Sequence, residues 1–309
     1  MATELSKPAS NERILAALAH FAALAQGIGL LLPAFLWAEQ RKDSRFVAFQ
    51  TLQAYAFQSL GYTVWLLFSL ALGLLAFFVF MLVNLFASFS RETLSIVFFF
   101  FALIVFLLFS VYAILAVVAA VVCAFGRDFR YPYLGDKLAK YISYASADTP
   151  QDQTHEERFA VAMGHFAVIF PFYGLLGPLG IWLTEGKRSA FIRFQSAQTV
   201  IYQIVGSILY AGIHLLALVF FFPLWLAAVS ASQPGSDGFT MLTLSLAFVG
   251  LCVLAIATLL GPLYHILGQW AGLQILLGRD YRYPLIGRLT ARWLKIEHPE
   301  SSSNPGETI

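Results

Sequence analysis

The feature that most constrains this chain is that it carries the same membrane segment twice. Glu12, Arg13, His20, Phe21, Gly29, Pro33, Trp37, Lys42, Ser44, Phe46, Phe49, Gln50, Gln53, Gln58 and Gly61 each recur 145 positions later. Their counterparts are Glu157, Arg158, His165, Phe166, Gly174, Pro178, Trp182, Lys187, Ser189, Phe191, Phe194, Gln195, Gln198, Gln203 and Gly206. A second block, Gly126-Arg127-Asp128-Phe129-Arg130-Tyr131-Pro132, returns 152 positions later as Gly278-Arg279-Asp280-Tyr281-Arg282-Tyr283-Pro284. No insertion interrupts either block. The chain is a tandem duplication, and a residue kept by both halves marks a position the repeat requires.

The repeated segment belongs in a bilayer. With 59% hydrophobic and 12% charged residues, thirty phenylalanines and a mean hydropathy of +0.75, the chain has too little polar surface to cover a soluble globule. Residues 46–90 and 94–126 contain no ionisable Asp, Glu, Lys, Arg or His, and 194–236 and 238–278 carry only His214 and His265. Each window exceeds the roughly 20 apolar residues that span hydrocarbon. The net charge of +2 gives no indication of nucleic-acid binding. Cys123 and Cys252 lie inside apolar windows and make neither a disulfide framework nor a metal site. Ala23-Leu24-Ala25 resembles a signal-peptidase site, but the matching run from Ala160 to Phe170 lies mid-chain, which argues against a cleaved signal.

Each half reads as a short apolar segment (14–38, then 159–184), a charged turn, two long helices joined by a brief outer turn, and a basic tail. The short segment is broken by Gly27, Gly29 and Pro33, and in the second copy by Pro171, Gly174, Gly177, Pro178 and Gly180. If it crosses the membrane, the halves are inverted and Lys and Arg divide eleven to eight. If it dips in and returns, the halves are parallel and eighteen of nineteen basic residues share one face, with Arg91 opposite. The positive-inside bias favours the dip, and each limb of about 12 residues, roughly 18 Å of helix, is too short to cross a ~30 Å core. The expectation is an all-α integral membrane protein, each repeat a broken, re-entrant helical hairpin plus two long transmembrane helices and a basic amphipathic surface helix. The repeats are placed at 1–144 and 158–297, with a polar linker at 145–157 and a disordered tail at 298–309.

Candidate functional residues follow from what both copies keep. Ser44 and Ser189 can cap the next helix, with Phe46, Phe49, Phe191 and Phe194 as interfacial anchors. Gln50, Gln53, Gln58 and Gly61 fall at about 0°, 300°, 80° and 20° around a helix, one narrow stripe that Gln195, Gln198, Gln203 and Gly206 repeat. Amides in hydrocarbon need partners, so the stripe either glues helices together or lines a groove for a peptide, a lipid or another subunit. His20 and His165 lie two helical turns beyond Arg13 and Arg158 on one polar face, where a packing role outweighs a ligand role. The Gly-Arg-Asp-aromatic-Arg-Tyr-Pro block reads as a helix stop, with glycine at the C-terminal cap and proline beyond. Its Arg127, Arg130, Arg279 and Arg282, with Lys137, Lys140, Arg288, Arg292 and Lys295 on the amphipathic stretches that follow, are expected to face anionic headgroups. On those stretches Leu134, Leu138, Tyr141 and Ile142, then Ile286, Leu289, Trp293 and Leu294, form the apolar faces.

These residues carry a resemblance. His, Gly-Pro, Trp, the basic turn, Phe46-Val47, Ala54, Phe57-Gln58 and the Arg-Tyr-Pro block, and more loosely Phe191, Ile192, Ala197 and Gln203, are similar to the bacterial Tic-twenty-like membrane family. That family is related to a subunit of the chloroplast inner-envelope import translocon. The chain departs from it in carrying two copies and in having Gln50 and Gln195 where members often have His. The resemblance implies a non-enzymatic scaffold or channel-like component handling other proteins. Internal repeats with broken helices also suit a small-solute or lipid transporter. Coupled transport and intramembrane catalysis normally use buried charges, and the apolar windows contain no Asp, Glu, Lys or Arg. The expectation is a bacterial inner-membrane protein with cytoplasmic termini, no enzyme and no cofactor. Its expected partners are anionic lipids and other membrane proteins or further copies of itself.

Overall fold

The computed structural model describes residues 7–86, 91–144, 152–230 and 237–296, and every regular element among them is helical. The first repeat runs α1 (Ser10–Phe21), a 3-10 segment (Ala22–Leu30), α2 (Leu31–Gln40), α3 (Arg45–Phe86), α4 (Arg91–Ala124) and α5 (Leu134–Tyr141). The second runs α6 (Gln153–Phe166), a 3-10 turn (Ala167–Ile169), α7 (Leu176–Glu185), α8 (Ala190–Ser230), α9 (Asp237–Leu276) and α10 (Ile286–Trp293). Because α6 starts at Gln153, residues 153–157 of the stretch read as linker are helical. Residues 145–151, the outer turns at 87–90 and 231–236, and the tail 298–309 lie outside the described residues.

By length and hydropathy five stretches could cross a membrane: Ser10–Gln40, Arg45–Leu82, Ser95–Ala124, Ala190–Pro223 and Met241–Leu276. Geometry separates the first from the rest. At Gln26 the backbone turns to φ 52°, and past this break a Cβ on Gly29 would strike the carbonyl oxygen of Ala22, so the chain folds back on itself. Lys7, Pro8 and Glu12 before and within α1 line the same crevice as Asp43, Ser44, Arg45 and Phe46 after α2, which places both ends of the segment at one end of the bundle. The second copy repeats the reversal. Phe172 turns to φ 71°, Gly174 abuts the Ala167 carbonyl, and Ser189 after α7 donates to Glu157 on α6 at 2.8 Å. Only glycine permits so close a backbone approach. Each short segment is thus a hairpin whose two ends lie together, and α3, α4, α8 and α9 are the long apolar helices that remain.

The long helices pass through two surroundings. Every residue of α3 from Val47 to Ser59 is buried, whereas beyond it Val64, Leu67, Phe68, Leu70, Leu74 and Leu75 are exposed, as lipid-facing residues are. At 42 residues α3 is about 63 Å long, twice a hydrocarbon core. Its first third is enclosed by the hairpins, with Trp37, Phe49, Leu52, Tyr55, Leu138, Ile142, Met163 and Ile192 at the centre of this head. Ser44 and Ser189 accept from the amides of Val47 and Ile192 at 3.2 and 3.3 Å, the expected caps.

Gly126 and Gly278, at φ 73° and 83°, close α4 and α9. In each case the following amide bonds back to a carbonyl five residues earlier, Arg127 to Val122 at 3.2 Å and Arg279 to Gln274 at 3.0 Å. The short helices then dock differently from the expected pattern. Leu138 and Ile142 of the first copy are buried in the head rather than turned to lipid. On α10 the inward residues are Gly287, Thr290 and Ala291, while Leu289 and Trp293 stay exposed.

Candidate functional site

In the first repeat the amide stripe and the histidine close on the loop that follows α4. Gln50 donates through Nε2 to the Asp128 carboxylate at 2.6 Å and the Phe129 carbonyl at 3.1 Å. Since both partners only accept, its Oε1 faces His20 Nε2, which donates at 3.0 Å. The other ring nitrogen, Nδ1, then accepts from the Tyr131 hydroxyl at 3.0 Å. Gln53 donates to the Phe129 carbonyl at 2.9 Å and accepts from the Tyr131 amide at 3.1 Å. Cys123 adds a thiol donor to Gln50 Oε1 at 3.4 Å.

The second repeat builds the same lock with different fittings. Gln195 and Gln198 donate to the Tyr281 carbonyl at 3.1 and 2.8 Å, and the Tyr283 amide donates to Gln198 Oε1 at 3.3 Å. His165 meets the Tyr283 hydroxyl through Nδ1 at 2.8 Å and Thr199 through Nε2 at 3.0 Å. Thr199 gives its own proton to the Gln195 carbonyl at 2.7 Å, so it accepts from the imidazole and selects the same tautomer as in the first copy. Thr199 stands where the first copy has Ala54, and Ile275 stands where it has Cys123. Beneath each histidine, Tyr131 stacks on Phe57 at 4.0 Å and Tyr283 on Tyr202 at 3.8 Å.

The remaining stripe residues fasten the hairpins. Gln58 and Gln203 donate to the carbonyls of Ala19 and Gly164 at 3.5 and 2.8 Å, each lying against the glycine of the returning limb. All six glutamines are at most 2% exposed. The groove that the stripe could have lined is therefore filled by the protein's own loop, and the amides glue elements within a repeat. A glutamine stripe in an apolar segment calls for partners, and here they are loop carbonyls 76 to 86 residues away, which helical spacing alone does not locate.

The expected basic residues lie where the chain leaves the bundle. Arg127, Arg130, Lys137, Lys140, Arg279, Arg288, Arg292 and Lys295 are exposed, and Arg282 is half-buried over the Phe194 ring at 5.1 Å. Arg130 pairs with Asp136 at 2.9 Å and Asp128 at 3.4 Å.

One cluster was missed. Where the repeats meet, α2 packs on its own counterpart α7, and Trp37 donates to Glu156 at 2.6 Å. Arg41 pairs with Glu157 at 2.6 Å and with Glu185 at 3.5 Å, and Arg188 caps Glu185 at 2.5 Å. Burial pushes the Glu156 carboxyl up to about 7, against the lowering pull of the Trp37 bond and Arg41. Arg41, Glu156 and Glu185 correspond to Gly186, Asn11 and Gln40, so a search for residues kept in both halves discards them.

No group of three or more metal-ligating side chains gathers among the described residues. No curated protein and no solved structure matches the chain. A family model does, twice in tandem: residues 11–138 and again 156–290 match the magnetosome magnetite crystal formation protein family, which bears out the duplication copy for copy and does not itself show the link to the Tic-twenty-like family. With both repeats matched over most of the sequence, this multi-pass membrane protein belongs to the magnetosome magnetite crystal formation protein family.

Proposed function

We infer that the protein is a non-enzymatic membrane scaffold that acts where magnetite crystals form, holding other membrane proteins or further copies of itself in the bilayer. One observation carries this reading: each repeat uses its histidine and glutamines on its own fold, and the exposed rim where the chain leaves the bundle carries Lys137, Lys140, Arg288 and Arg292 among its charges. Such a rim suits anionic headgroups and acidic partner segments. The family description supports a role in crystal formation. The resemblance to the Tic-twenty-like family, whose chloroplast relative is a translocon subunit, supports a role among other proteins. The side carrying eighteen of the nineteen basic residues is read as the cytoplasmic face of a bacterial inner membrane.

The test is crosslinking with mass spectrometry on intact membranes of a magnetite-forming host, with crystal size read by electron microscopy. Replacing Lys137, Lys140, Arg288 and Arg292 with glutamine is expected to reduce crosslinked partners and change crystal size while insertion persists. If partners and crystals are unchanged, and the purified protein in liposomes moves a solute down its gradient, the transporter reading replaces this one.

A further inference from the structure

We propose that the first repeat holds one phospholipid by its phosphate in the crevice between the start of α1, the start of α3 and the end of α4. The crevice encloses about 1260 Å³ and is lined by Lys7, Arg45, Arg127, Asp43, Phe46 and Tyr144, among others. Its charge balance is not what its composition says. Glu12 is engaged by the Ala9 amide at 2.6 Å, and Asp128 by Gln50 and Arg130, whereas Lys7 and Arg127 have no ion-pair partner among the described residues. With Asp128 paired to Arg130, the lining cations Lys7, Arg45 and Arg127 face two carboxylates, Asp43 and Glu12, which leaves a surplus of one positive charge. Tyr144 is 1% exposed, its ring lies under the Arg45 guanidinium at 6.0 Å, and its buried hydroxyl has no hydrogen-bond partner. A buried hydroxyl without a partner is costly, and in a crevice with a surplus cation an anion would satisfy both.

An apolar stripe says which anion. Val111, Ile114, Val118, Val121 and Phe125 recur every three or four residues along α4, all exposed, and Phe125 ends the stripe in the crevice wall. A phosphate at this level of the bilayer, with an acyl chain lying along that stripe, is a lipid headgroup. The second repeat supplies an internal control. At the positions of Lys7, Arg45 and Tyr144 it has Asp152, Ala190 and Ile296, although it keeps Arg279 in place of Arg127.

The test is native mass spectrometry of the full-length protein in detergent, with phosphatidylglycerol, diacylglycerol and inorganic phosphate as probes. One phosphatidylglycerol is expected to bind tightly, diacylglycerol weakly, and millimolar phosphate alone not at all. The double variant Lys7→Gln/Arg127→Gln is expected to lose about tenfold or more in affinity, as two charge-assisted bonds would. Tyr144→Phe, which keeps the ring and its packing, is expected to lose a few-fold, and Arg279→Gln nothing. Unchanged binding in the double variant overturns the site, and so does an equal loss in Arg279→Gln, which would assign the lipid to the basic rim at large. Phosphate binding as tightly as the lipid overturns the lipid as ligand.

Discussion

In the first repeat Gln50, Gln53 and His20 hold the loop after α4; in the second Gln195, Gln198 and His165 hold the loop after α9, with Thr199 and Ile275 exchanged for Ala54 and Cys123. Where the two repeats touch, nothing of the kind is preserved: Arg41 faces Glu157 and Glu185, and its own counterpart is Gly186. The difference follows from pairing. Because α2 packs on α7 and Arg41 reaches Glu185, the neighbour of its own counterpart Gly186, a cation kept in both copies would stand close to itself. Contacts inside a repeat can be duplicated unchanged, while charges between repeats must diverge to become complementary. The surroundings diverge too. α1 shows Ile14, Leu18 and Phe21 to the outside, whereas its counterpart α6 is buried from Phe159 to Phe166 between α3, α8 and α9.

The comparison breaks most sharply at Arg41. Arg41→Ala leaves Glu185, fully buried, without its interior cation, and the expected loss is about 3–5 kcal/mol, the cost of removing one partner of a buried pair. A thermal melt in detergent checks it, and Arg188→Ala, which removes only the exposed cation of Glu185, is the comparison. Next come the locks. Gln53→Leu strands the Tyr131 amide and Gln198→Leu strands the Tyr283 amide, each expected to cost about 1–3 kcal/mol and by similar amounts in the two copies. Unequal losses would show that one repeat bears the fold alone.

Glu156 gives a pH dependence that only the interface should have. Its carboxyl is raised in the folded protein from 4.5 to about 7, so between those values the folded state binds more protons than the unfolded one, and stability falls as pH rises through that window. Glu156→Gln keeps an acceptor for Trp37 and is expected to flatten that fall, read from melting temperatures at pH 5 and 7.5. The smallest effect is at Thr199→Ala, which makes the second lock resemble the first at the Ala54 position. It is expected to cost about 1 kcal/mol, and a larger loss would mean that the histidine of the second copy has no other route to satisfaction.

How much of this was legible follows the same division. The long apolar helices, the serine caps and the glycine stops could be read because hydropathy and capping are local, and the duplication marked the glutamines and histidines because both copies keep them. The destination of those amides was not legible: a stripe at helical spacing looks the same whether it faces a partner or a loop folded back from 76 residues along the chain. The Arg41 cluster was invisible for the opposite reason, since Arg41, Glu156 and Glu185 occur once. The amphipathic pattern of residues 134–142 was seen, but a face that fits lipid also fits the protein head, and Leu138 and Ile142 went to the head.

The claim on which the rest stands is that each repeat doubles back, so that the two copies lie parallel. Single cysteines at the exposed positions Lys7, Lys42 and Lys187, in a chain lacking Cys123 and Cys252, probe it directly with a membrane-impermeant maleimide on intact cells and on inverted vesicles. All three are expected to label from the same side. Lys7 and Lys42 labelling from opposite sides, or Lys42 and Lys187 doing so, would mean that the short segment crosses the membrane and the repeats are inverted.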